Sequence, residues 1–108
     1  MKVTPMNVDP ATVFLDVQVP AATQIRMGSI CFRAGDRVPA SGSSLHEQSE
    51  YSYVVTGSLK VNSGGATQVA RAGDLISIPP GESHFTQVES DSSVIYLLIG
   101  RITEAGRQ

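Results

Sequence analysis

The sequence predicts an all-β, single-domain barrel or sandwich, and three observations carry that prediction. Apolar residues recur with period two along most of the chain, and no segment shows an amphipathic helical stripe. Gly and Pro punctuate the chain at short intervals, leaving runs of strand length between them. The length, 108 residues, allows one buried core and leaves nothing over for a second module. The reading is one domain over 1–108, without linker or repeat, with a barrel core at about 25–102.

Val13, Leu15, Val17 and Val19 alternate with Phe14, Asp16 and Gln18, which predicts a strand with one buried face, ended by Pro20. Ile25 to Arg33 is the next strand, and Ala34-Gly35-Asp36 is turn chemistry. Pro39 to Ser44 is too polar and too rich in small residues for a core element. Leu45 to Thr56 returns to strand character, with Tyr51, Tyr53 and Val55 on one face and Ser52 and Val54 on the other; Gly57-Ser58 is expected to break it. Leu59 to Asn62 and Thr67 to Arg71 flank Ser63-Gly64-Gly65, a hairpin signal. A turn at Gly73-Asp74 precedes a short strand, Leu75 to Ile78. Pro79-Pro80-Gly81 suits a type II turn, with Pro80 fixing φ and Gly81 taking the positive-φ corner. Phe85 to Val88 continues as strand, Glu89 to Ser93 reads as a loop, and Val94 to Ile102 is the last strand. That strand is apolar on both faces, Ile95, Leu97 and Ile99 on one and Val94, Tyr96 and Leu98 on the other. Such a strand needs cover twice, from the barrel interior and from a second sheet or subunit.

Composition narrows the partners. Charged residues are 17% of the chain, against roughly 25% in typical domains. Part of the surface is therefore uncharged, which points to a subunit interface and a homodimer. The net charge is −2, and the Lys and Arg residues stand singly, so no basic stripe exists to neutralise a phosphate backbone and no nucleic-acid partner is expected. The longest apolar run, Val94 to Ile99, is far short of the roughly 20 residues that span a bilayer, so no membrane partner is expected. The first residues, Met1 to Pro5, lack a continuous apolar stretch of the signal-peptide kind. Cys31 stands alone and reads as a small buried hydrophobe rather than a reactive thiol. A reducing, cytoplasmic setting fits.

The chemistry points to three residues. His46 and Glu50 are four apart in a strand-like segment, and an even separation places both on one face of a regular strand. His84 follows the Pro-Pro-Gly turn, where a side chain can be aimed into a barrel mouth. Two imidazoles and a carboxylate facing one another make a divalent-metal site with open positions. His46-Glu-Gln-Ser-Glu50 begins like a metalloprotease helix but lacks the second histidine, and Gly64-Gly65 lacks the Lys-Ser/Thr of a phosphate loop. No serine sits in a nucleophile-elbow sequence.

The spacing of Gly35, His46, Glu50 and Gly57, then of Gly73, Pro79, Gly81 and His84, resembles the two motifs of the small single-domain cupins. The resemblance covers roughly residues 28–100 and implies a cupin-type double-stranded β-helix, a jelly-roll barrel. It also implies a divalent transition metal (Fe, Mn, Ni or Zn) held by His46, Glu50 and His84, with Glu50 and His84 as catalytic candidates. Two positions depart from the pattern. Ser44 stands where the first histidine of the motif pair belongs, and Val88 where an asparagine is expected. One ligand of the family's usual four is thus missing, and Ser44 becomes a candidate to position a metal-bound water. Ser44, Ser52 and Tyr96 are the expected pocket residues; Tyr51 and Tyr53 are candidates for pocket or packing.

Two functions follow from the resemblance. One is a metalloenzyme acting on a small oxygen-rich molecule by dioxygenation, decarboxylation, isomerisation or lyase chemistry, with Glu50 as ligand or proton shuttle. The other is a metal-free barrel that binds or senses a small carbohydrate or carboxylate. A metal-free isomerase or cyclase using His46 and Glu50 as acid and base is a third possibility.

Overall fold

The computed structural model describes residues 11–19 and 23–101. Seven strands build them: β1 (Ala11–Val19), β2 (Thr23–Phe32), β3 (Arg37–Val38), β4 (Ser49–Ser63), β5 (Ala66–Arg71), β6 (Leu75–Ile78) and β7 (His84–Arg101). No helix occurs among the described residues. The expected stop at Pro20 and the strand end at Ile102 lie outside them.

All pairings are antiparallel, and β4 and β7 form the spine, paired from Ser49↔Ile99 to Ser63↔His84. Both strands belong to two sheets. Toward the start of β4, β6 joins β4 and β2 joins the far side of β7, with β1 outside β2. Toward its end, β5 joins β4 and β3 joins β7. This is the jelly-roll arrangement, in which the bent spine strands carry the chain from one sheet to the other.

The bend corrects two expectations. Gly57-Ser58 does not break the strand, and Glu89 to Ser93 is not a loop: β4 and β7 run through both, with register shifts between Val54 and Leu59. The polar run is explained by its hydroxyls. Ser92 Oγ accepts from the Ser58 amide at 3.0 Å and donates to the Ser90 carbonyl at 2.7 Å, while Thr56 Oγ1 and Ser93 Oγ bond at 2.7 Å. They replace ladder bonds that the bulges interrupt, so buried serines here are strand chemistry. Gly57, at φ 93°, lies so close to β7 that a Cβ would fall 2.6 Å from Ser92 Cα. Only glycine fits there.

The hairpin between β4 and β5 turns on Gly64 and Gly65, both at positive φ, as a two-residue loop requires. Gly81, at φ 76°, takes the left-handed corner after Pro79-Pro80. Val54, Leu59, Val61, Ala70, Val88 and Val94 form the core between the sheets, with Ile30, Phe32 and Ile76 packed against it. Val88, at the position of the missing asparagine, is a core residue.

On β1, Val13 and Val17 are exposed, against the expectation of a buried face. Among the described residues, β1 is an edge strand paired only to β2. Tyr51 and Tyr53 are likewise exposed, on the outer face.

Candidate metal centre and ligand cavity

His46 sits in the loop ahead of β4, not within a strand, so strand periodicity is not what aligns it with Glu50. Backbone bonds do that work. The Ser44 amide donates to the His84 carbonyl at 2.8 Å, the His84 amide returns the bond to Ser44 at 3.0 Å, and the Gly81 amide donates to the His46 carbonyl at 2.9 Å. The Pro-Pro-Gly turn thus clasps the loop and sets the two histidines side by side. Glu50 comes from the first residues of β4, on its inward face with Ser52 and Val54.

His46 Nε2 lies 3.5 Å and His84 Nε2 3.8 Å from Glu50 Oε1, and the ligand atoms of the three all fall within 4.8 Å of one another. Both imidazoles are buried. His46 Nδ1 is 2.9 Å from the Gln48 carbonyl and His84 Nδ1 is 2.9 Å from the Glu82 carbonyl. A carbonyl can only accept, so each Nδ1 carries the hydrogen and each neutral ring turns its Nε2 lone pair toward Glu50. Two lone pairs facing one carboxylate repel it unless a cation lies between them. A proton is one such cation: the hydrogen bond to Glu50 raises the His46 pKa above 6.5, helped by the Gln48 carbonyl and the Glu50 charge and opposed by burial. A divalent ion is the other, and the set fits one. Two nitrogen donors and one oxygen donor converge, each imidazole is oriented by a carbonyl behind it, and one side is left open to the cavity.

The cavity has a volume of about 300 Å³. Ser44, Ser52 and Tyr96 line it beside the two histidines and Glu50, and Ser52 Oγ donates to Glu50 Oε2 at 3.4 Å. Its walls are mainly apolar, with Ile30, Phe32, Leu59, Ile76 and Leu98 among them. Arg26 also lines it, a residue the sequence reading passed over. The signal was present: a cation between Ile25 and Met27 in an alternating strand faces opposite to its apolar neighbours, which here means inward.

Comparison with known proteins agrees with this architecture. The family model for the cupin domain matches residues 31–100. No curated protein matches the chain significantly in sequence. Among solved structures, an RmlC-like cupin from Shewanella frigidimarina superposes with a TM-score of 0.62 at 23% identity, over 79% of this chain and 82% of that one. A predicted oxalate decarboxylase from Thermotoga maritima does so with 0.62 at 14% identity, over 89% and 98%. A salicylate 1,2-dioxygenase from Pseudaminobacter salicylatoxidans gives 0.62 at 20% identity, over 68% of this chain but 20% of that one. At these identities the likeness is one of fold. With the family match spanning most of its length, this chain belongs to the cupin domain family.

Proposed function

We propose that the protein is a metal-dependent cupin enzyme in which His46, Glu50 and His84 hold a divalent transition ion (Fe, Mn, Ni or Zn) and a small oxygen-rich metabolite enters the adjoining cavity. The observation that carries this is the pair of Nδ1–carbonyl bonds, which turns both Nε2 lone pairs onto one carboxylate oxygen. Bound there, the ion supplies Lewis-acid polarisation of a substrate oxygen or, as iron, activation of dioxygen. The chain's own part is positional. The Gln48 and Glu82 carbonyls fix the rings, Ser52 steadies the Glu50 carboxylate, and the apolar walls keep water from the reacting group. Glu50 Oε2 is placed to hold or pass a proton when Oε1 is engaged, which suits decarboxylation, isomerisation or lyase chemistry as well as dioxygenation. The likeness in fold to a dioxygenase and to a predicted oxalate decarboxylase supports this range.

Metal analysis of untagged protein tests the reading. Near-stoichiometric transition metal, present on purification or after reconstitution, is expected. Less than about a tenth of an equivalent after reconstitution would instead favour the metal-free binding module, for which the Ser44 substitution is the supporting observation.

The protein is also proposed to be a homodimer through its outer sheet face. There Tyr51, Leu97 and Met27 are cross-strand neighbours, flanked by Tyr53 and Ile95 on one side and by Ile99 and Ile25 on the other. Tyr51, Tyr53 and Ile99 are exposed, and Leu75 on β6, opposite Tyr53, is 61% exposed. An apolar face this continuous is what a stable subunit contact buries.

A further inference from the structure

We propose that Arg26 is the anion anchor of the cavity, binding the carboxylate of a small organic acid whose other end reaches His46, Glu50 and His84. The proposal deepens the reading of this cavity as a ligand site. Arg26 and Glu50 are each paired to Leu98, one on either side of β7, so the cation and the candidate metal ligand stand on one inward row. Two strand spacings separate them, about 10 Å at the backbone. Arg26 is the only Lys or Arg among the described residues that line the cavity.

An arginine paired to an aspartate is most often surface decoration worth little. This one is held at both ends of its partner. Arg26 Nε and Nη2 donate to Asp16 Oδ2 at 3.1 and 2.6 Å, while Gln24 Nε2 donates to Asp16 Oδ1 at 2.7 Å. Gln24 Oε1 in turn accepts from Nε2 of buried Gln48 at 2.8 Å, and the Gln48 carbonyl holds the His46 ring. A continuous chain of hydrogen bonds therefore runs from the candidate metal ligand to the guanidinium and fixes the guanidinium's orientation. Nη1 has no hydrogen bond among the described residues, which leaves one arm of the fork for a ligand. The volume, about 300 Å³, is at the lower end of ligand pockets, so the acid is small. Asp16 offsets the charge of Arg26, so recognition rests on a directed, charge-assisted hydrogen bond more than on net charge.

The test is isothermal titration of benzoate, glutarate and acetate against benzamide, glutaramide and acetamide, on zinc-loaded and on chelator-treated protein. At least one acid is expected to bind about tenfold or more tightly than its amide. Arg26→Gln should abolish that preference and Arg26→Lys should keep part of it, with zinc content per chain unchanged in both. No acid preference in the wild type, or one that survives Arg26→Gln, overturns the proposal. So does a preference that vanishes on chelation and ignores Arg26, because the metal alone then binds the acid. A preference that follows Arg26 in protein unable to take up metal would sink the metalloenzyme reading and leave the anchor standing. Should Arg26→Gln fail to fold, Arg26→Lys decides, since unchanged discrimination with the planar fork removed counts against the anchor.

Discussion

His46 and His84 meet edge to face, their ring centroids 5.2 Å apart and their planes at 78°. They come from different segments 38 residues apart in number and are brought together by backbone bonds around a Pro-Pro-Gly turn. Each ring is pinned at Nδ1, so the contact leaves both Nε2 atoms committed to Glu50.

Removing any one of the three should therefore unmake the centre. His46→Ala, Glu50→Ala and His84→Ala are each expected to weaken zinc binding by at least about 100-fold, since loss of an outer partner alone typically costs about 10–100-fold. Competition with a chromophoric chelator measures this, while unchanged circular dichroism shows that the barrel persists.

The raised pKa of His46 gives the metal-free protein a defined pH response. A histidine whose pKa is higher folded than unfolded stabilises the fold fully below the unfolded value of 6.5, and that contribution disappears as pH rises through the folded value. Melting temperatures of chelated protein should thus fall as pH rises above about 6.5, and His46→Asn should flatten the fall. In the same window zinc affinity should rise, because the ion and the proton compete for Nε2.

Gly57→Ala should be among the most damaging single-atom changes. The residue sits at φ 93°, and its new Cβ would meet Ser92 and Asp91 of the facing strand. A loss of at least about 3 kcal/mol in urea unfolding is expected from strain and overlap together. Gly65→Ala, where no atom lies within 4 Å, should cost only the backbone strain, about 1–2 kcal/mol.

Val54 is fully buried but does not line the cavity, so stability and binding separate there. Val54→Ala should lower stability by about 2–3 kcal/mol, or roughly 10 °C or more in Tm, and leave zinc affinity unchanged.

The outer face gives a prediction about assembly. Tyr51→Glu places a charge at the centre of the Tyr51–Leu97–Met27 row, and sedimentation analysis should show a dimer becoming a monomer. A wild-type monomer at micromolar concentration removes the interface.

Period-two patterning and the Gly and Pro corners were enough to specify most of the strands and the Gly64-Gly65 hairpin, because those signals are local: side-chain alternation and positive φ act within a few residues. The motif spacings also singled out His46, Glu50 and His84 before any contact was known. The sequence did not reveal that Glu89 to Ser93 is strand, since the hydroxyls of Ser92 and Ser93 find their partners some 35 residues away on β4. Nor did it show that His46 reaches Glu50 from a loop, or that Arg26 shares their cavity. Both depend on which strands lie side by side and where the spine bends, and only closure of the sheet around its core decides that.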